Sequence, residues 1–357
     1  MSTIQAAKER LDGIIAKARV DLYKPIQIAE VLRRSRLQDD IEILNTASYQ
    51  NPSMHWRDIV TKRLLKKICT SSARYQHDIW NPTAMPPEFL AILDAENNRT
   101  QGGVERYIYL RFNERQQTVS NVIALIENTS TQDFALSKLL EMFMTQAGIR
   151  RSIDKAYEIV VYSLFETVVS ALGTTIKVSV PASSREMLKE FSDLAQVLLG
   201  LKSGQNSWEL PAHVYRVGVT NAADRGLDMW ANFGPAIQVK HLTLNDKLAQ
   251  TIIDQVESDN IVIVCRDVDA EVIKVVSKQI SWGRRVRGIV RESELIEWYE
   301  RCLHGKFAVQ LANPLLERLL ESFKSEFPQD NAIVDFLQER QYLSMTVDEF
   351  WSTTIDL

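Results

Sequence analysis

One stretch constrains the fold more than any other: RVGVTNAADRGLDMWANFGPAIQVKHL, Arg216 to Leu242. It reads as two strands joined by a tight turn. Val217 and Val219 alternate with small or polar residues, and Asn232-Phe233-Gly234-Pro235 is a turn signal. Residues 236–242 then alternate, with Ile237, Val239 and His241 on one face and Gln238, Lys240 and Leu242 on the other. The turn brings Asp228 back toward Gln238 and Lys240, so a carboxylate, an amide oxygen and an ammonium group converge at one end of a hairpin. That equipment suits a hard divalent cation with a phosphate beside it. Asp224 is the rival for the Asp position. Ten positions from Asp228 to Gln238 fit a short hairpin, whereas Asp224 falls beyond the strand.

The chain around this hairpin has 357 residues, enough for two domains and a sizeable core. Its 45% apolar and 25% charged content are those of an ordinary water-soluble protein. A net charge of −4 means that a nucleic-acid partner must be met by local basic patches, which counts against a non-specific DNA coater. Cys69, Cys265 and Cys302 lie far apart and form no CxxC spacing, so a structural zinc site is not expected. An odd cysteine count without a secretory signal points to reduced thiols and a cytoplasmic location. No run approaches the roughly 20 apolar residues of a membrane helix.

Residues 1–147 are helical in pattern. Ile4, Ala7, Leu11, Ile14, Ile15 and Ala18 keep three-four spacing. Pro25 suits a helix first turn, and Ile28, Ala29, Val31 and Leu32 continue one face. Trp56, Ile59, Val60 and Leu64 predict another apolar stripe. This part is expected to be an accessory helical domain serving DNA recognition or dimerisation. Residues 148–305 change character. Ser152 to Leu172 reads as a buried helix, apolar nearly all round and ended by Gly173, and Thr174 to Val180 as a strand. A helix over 184–200 precedes the hairpin. After it come a helix over 245–257, a strand at 261–265 buried on both faces, a helix over 270–280, a strand near 286–290 and a helix over 293–303. Residues 306–357 read as a helical tail. The fold class is α/β: a mixed sheet flanked by helices behind an N-terminal helical domain.

Asp228, Gln238 and Lys240 in this order resemble the PD-(D/E)XK nuclease motif, with Gln238 in the place of the more usual acidic residue. The wider chain is similar to the HaeII-type restriction endonucleases, most densely in ARVDLYKPIQIAEVL (18–32), GIRRSIDKAYEIVVY (148–162) and the hairpin. The resemblance implies a nuclease core over 148–305 and a type II restriction endonuclease that cuts both strands of a short GC-rich palindrome of the RGCGCY kind. It implies Mg²⁺ held by Asp228, Gln238, the carbonyl of Val239 and Glu158, with Lys240 at the reacting phosphate. It also implies a homodimer and a cognate DNA methyltransferase in the same system, with no direct contact between the two. Glu158 interrupts the apolar YEIVVY, where a lone carboxylate is expensive unless it is paired or holds a metal. A salt bridge to Lys155 or Arg151 is the ordinary alternative.

Base-reading and phosphate contacts are expected from the basic clusters Arg284, Arg285 and Arg287, Arg33, Arg34 and Arg36, and Arg74, although charge runs more often form solvated helix faces. His241 alternates away from Lys240 and reads as structural. No GxxxxGK[ST], GxGxxG after a strand or HExxH is present, so nucleotide-driven and zinc-protease chemistry lack support. Two other readings stay open: a modification-dependent DNA nuclease, and a non-catalytic DNA-binding protein with a degenerate core.

Overall fold

The computed structural model describes the chain except for residues 1–2, 39, 147, 203, 218–226, 271, 273–284, 329–331, 347–348 and 353–357. The described residues divide into two compact units, one within 1–156 and 320–357 and the other within 157–319.

The first unit is helical: α1 (Thr3–Lys17), α2 (Tyr23–Gln38), α3 (Pro52–Leu65), the short α4 (Ala73–His77), α5 (Pro87–Arg99), α6 (Gly103–Asn128) and α7 (Leu136–Thr145). Proline at the first position starts α3 and α5, where a missing N–H is harmless. Ile26, Ile28, Ala29, Val31 and Leu32 of α2 are fully buried against α3 and α6. The expected stripe on α3 is rotated. Val60 and Leu64 face in, but Ile59 is 59% exposed and Arg57 takes an interior place at 1%. Arg57 is tolerated there because its guanidinium donates to Gln27, Gln76 and Asp58. Residues 332–339, Tyr342 and Trp351 from the end of the chain join this same core.

Helix α8 (Ile153–Ala171) leads into the second unit, and Gly173 follows it with φ +60°, a left-handed backbone that glycine adopts without penalty. Strand β1 (Thr175–Ser179) pairs antiparallel with β2 (Ser207–Pro211) in a separate two-stranded sheet. Between them lie α9 (Arg185–Glu190) and α10 (Ser192–Leu199), which are two short helices broken at Phe191 rather than the single one expected.

The main sheet has five strands in the order β3 (Val214–Arg216), β4 (Met229–Ala231), β5 (Ala236–Leu244), β6 (Ile261–Val268) and β7 (Val286–Arg291). The first three are antiparallel neighbours, and β5, β6 and β7 run parallel. Strand β6 lies between two parallel neighbours, which explains its unbroken apolar run. Helix α11 (Asp246–Gln255) is the crossover between β5 and β6, and α12 (Glu292–His304) follows β7 and packs against β6 and β7. The architecture is thus the expected mixed α/β sheet flanked by helices. The helix expected over 270–280 lies almost wholly outside the described residues. The expected first strand around Val217 is displaced. The turn at 232–235 joins β5 to β4, and Val217 follows β3, where its N–H donates to the Asp228 carbonyl. Val219 lies outside the described residues. Among those residues, no helix is long and apolar enough to cross a membrane.

Candidate active site

The β4–β5 turn is closed by the Ala231 N–H donating to Pro235 O at 2.8 Å, with Gly234 at φ +118°. Only glycine takes that backbone angle without strain. The turn sets the register Met229 opposite Ile237 and Trp230 opposite Ala236. Continuing it one step places Asp228 opposite Gln238. Directly opposed residues share a face, and Lys240 shares it with Gln238 two residues on.

The side chains converge on one carboxylate oxygen. Asp228 Oδ2 accepts from Gln238 Nε2 and from the Val239 N–H at 2.8 Å, and Lys240 Nζ lies 3.7 Å away. All three groups come from β5, so one strand fixes the carboxylate before any substrate arrives. Gln238 is 2% exposed, while the Lys240 side chain keeps 35% of its surface in solvent. An ammonium group at that depth can reach an incoming phosphate.

The other amide atom of Gln238 is as telling. Oε1 is buried and has no hydrogen-bond partner among the described residues. A buried acceptor without a donor costs about 1–3 kcal/mol. Such an atom beside a fixed carboxylate is the kind of oxygen a hard cation takes. The donor set therefore fits a divalent cation held by Asp228, the Gln238 amide oxygen and backbone carbonyl oxygen. No group of three His, Cys, Asp or Glu residues converges among the described residues, so a cation here would rest on one carboxylate with neutral oxygens beside it.

His241 points the other way, as its alternation implies. Its Nε2 lies 3.1 Å from Glu292 Oε2, and the ring meets Tyr157 edge-on at 5.0 Å. The Tyr157 hydroxyl donates to Cys265 O at 3.1 Å. Burial pushes the Tyr157 phenol well up and the Cys265 thiol up to about 12, so both stay neutral and serve packing. Helix α8 thus meets β5 on the His241 face. Glu158 is buried on that helix at 7% exposure.

The signal that singled out Glu158, a carboxylate in an apolar helix, applies equally to Glu166, which the sequence reading passed over. Glu166 is 5% exposed and accepts from the Val214 N–H, from Ser170 Oγ at 2.9 Å and beside His213 Nδ1 at 2.9 Å. Burial alone would raise its carboxyl, but those three partners hold it below the usual carboxylate range. It ties α8 to the edge strand of the sheet. A second unforeseen pair is Tyr215 and Trp230, opposed across β3 and β4 and stacked at 4.6 Å. Both stay exposed, on the face that carries Asp228. An aromatic residue on the polar side of an alternating strand was the available signal.

The arginines divide. Arg36 grips Glu105 bidentately at 2.9 and 3.1 Å, with Arg33 at 4.0 Å from the same carboxylate. Arg34 pairs with Asp40. Arg285 donates to the carbonyls of Ile253, Val256 and Ser258 and so closes the C-terminal end of α11. Arg74 and Arg287 are exposed. Arg284 and Asp224 lie outside the described residues.

Comparisons with known proteins give the family of the chain. A family model described as HaeII restriction endonuclease matches residues 7–342. The type II restriction enzyme HaeII of Haemophilus aegyptius is 46% identical over 345 residues, covering 96% of this chain and 98% of that protein. The type II restriction enzyme NgoBI of Neisseria gonorrhoeae is 45% identical over 349 residues, covering 97% and 99%. No solved structure matches the chain. A match that runs through both units at this identity leaves one assignment: the chain belongs to the HaeII restriction endonuclease family of type II restriction enzymes, which are site-specific deoxyribonucleases.

Proposed function

We propose that this chain is a Mg²⁺-dependent type II restriction endonuclease that hydrolyses one phosphodiester in each strand of a short GC-rich palindrome of the RGCGCY kind, and that it works as a homodimer. The observation that carries the reading is the Asp228 carboxylate fixed between Gln238, the Val239 N–H and Lys240, with the Gln238 amide oxygen left as a buried acceptor.

In this reading Asp228, Gln238 Oε1 and the Val239 carbonyl hold the cation. Glu158, which α8 carries on the opposite, His241 side of β5, adds the negative charge that Gln238 lacks only by reaching the cation around the end of that strand. When bound, the cation supplies positive charge beside the scissile phosphate. Lys240 stabilises the charge that grows on the phosphate as it becomes pentavalent, a role in which a preorganised group contributes a few kcal/mol. The Asp228 carboxylate keeps the Lys240 ammonium at the site in the free protein. Residues 1–147 serve DNA recognition, with Arg33, Arg34, Arg36 and Arg74 as candidates there and Arg284, Arg285 and Arg287 in the core over 148–305. The enzyme acts in the cytoplasm, where a cognate methyltransferase protects host sites without touching it.

Digestion of a mapped plasmid with and without Mg²⁺, read to the nucleotide, tests this. Discrete cuts at a GC-rich palindrome only with Mg²⁺ are expected. Gln238 favours two competitors, because an amide in place of a carboxylate weakens a cation site. Binding without cutting would select the non-catalytic DNA-binding protein. Cutting confined to methylated DNA would select the modification-dependent nuclease.

A further inference from the structure

The segment from Leu172 to Gly200 is built unlike the rest of its unit. Strands β1 and β2 pair from Thr175–Pro211 to Ser179–Ser207, so α9 and α10 sit at the end of an isolated two-stranded ladder. Such a ladder is marginal in water without a further packing partner. Of all the residues in α9 and α10, only Ala195 is buried. Yet their surface is strongly apolar. Met187 is 65% exposed, Phe191 49%, Leu194 54%, Val197 86% and Leu198 74%. Leu194, Val197 and Leu198 fall at i, i+3 and i+4, so they form one face of α10.

We infer that this apolar face is the surface through which two copies of the chain pair. Area is the first argument. The five side chains of α9 and α10 expose on the order of 100–130 Å² each, roughly 600 Å² together, the larger part of the about 800 Å² that one partner brings to a standard protein interface. Charge is the second. The helices carry Arg185 and Lys189 against Glu186, Glu190 and Asp193, and Lys189 already pairs with Glu186 at 2.7 Å. A near-neutral rim is self-complementary, as an isologous two-fold contact requires. The same balance argues against DNA as the occupant, since phosphate contact needs a surplus of Lys and Arg. It argues equally against a lipid surface, which amphipathic helices meet with a basic polar face. The choice of a second copy rests further on the nuclease reading above, because cutting both strands of a palindrome calls for two Asp228–Gln238–Lys240 sites. Dimerisation then falls to this segment of the second unit and not to the helices of 1–147.

Sedimentation velocity of the full chain, without DNA or divalent cation, reads the inference directly. The wild type is expected to run as a dimer at micromolar concentration. Val197→Asp with Leu198→Asp should raise the dimer dissociation constant by about 100-fold or more. The melting temperature extrapolated to the monomer should not change, because both side chains already face water in the single chain. Val197→Gln with Leu198→Gln should shift the equilibrium in the same direction by less, and it decides the matter if the aspartates prevent folding. A wild type that stays monomeric at about 100 µM overturns the inference. So do Gln variants that dimerise as tightly as the wild type, or that melt early at every concentration because the face is covered within its own chain. The two readings fail separately: absence of cutting by the wild type sinks the nuclease, whereas dimers indifferent to positions 197 and 198 sink only the interface.

Discussion

Gln238 donates its amide N–H to Asp228 across the β4–β5 register, while its buried amide oxygen has no hydrogen-bond partner among the described residues. This asymmetry makes Gln238→Glu informative. In the metal-free protein the substitution sets two carboxylates against each other and removes a donor. The fold should lose about 1–3 kcal/mol in EDTA. With Mg²⁺ present, the added charge should tighten cation binding and recover most of that loss. Thermal melts of both proteins in EDTA and in Mg²⁺ check it. Equal shifts in the two buffers would mean that position 238 does not touch the cation.

Asp228→Ala and Lys240→Ala should each slow cleavage by about 10³-fold or more, as removal of a preorganised electrostatic group does. Specific binding should survive, because interactions that strengthen only in the transition state add little to ground-state affinity. Asp224→Ala is the control and should be mild. A gel shift in Ca²⁺ beside a cleavage assay in Mg²⁺ separates binding from chemistry. Loss of activity in Asp224→Ala with normal cutting by Asp228→Ala would move the motif to the other aspartate.

Glu166 makes stability depend on pH. Its folded carboxyl titrates below the ordinary value of 4.5, held down by Val214 N–H, His213 and Ser170 against the upward push of burial. The stabilisation it contributes is therefore fully present above about pH 4.5 and is lost as pH falls through the lower folded value. Urea unfolding at pH 7 and at successively lower pH should show this decline. Glu166→Gln should cost about 1–3 kcal/mol at pH 7 and should flatten the acid limb. An unchanged acid limb in the variant would refute this role.

Glu105 is wholly buried and receives Arg36 bidentately, the Tyr342 hydroxyl, and Asn97 Nδ2 at 2.7 Å. Glu105→Ala leaves those donors without an acceptor and should destabilise the helical unit by about 3–5 kcal/mol. The urea midpoint is the measurement. A loss under about 1 kcal/mol would show that Arg36 is free to turn elsewhere, toward DNA included.

DNA affinity should fall steeply with salt despite the net charge of −4, because phosphate contacts release counterions. Fluorescence anisotropy of a labelled duplex between about 50 and 200 mM salt gives the slope. A flat line would leave no phosphate-tracking cleft to explain.

The sequence by itself determined most of the elements and their order, though not strands β2 and β3 or the break between α9 and α10. Alternation over 236–242 put Gln238 and Lys240 on one face and His241 on the other, and the period of a strand admits no other arrangement. The all-round apolar pattern of Ser152 to Leu172 marked a buried helix for the same local reason. Only the tertiary structure decided pairings between distant segments. Val217 alternates like a strand, but the Asn232–Pro235 turn matches β4 to β5, and β3 pairs with β4 from further back. Glu158 and Glu166 look alike in the sequence, and their surroundings differ because helix position selects which carboxylate meets Val214 and His213. Arg36 and Arg285 read as free charge, yet one folds onto Glu105 and the other onto three carbonyls. A strand's period is a property of its own backbone, whereas the partner of a charge is set by whatever the fold places within a few ångströms of it.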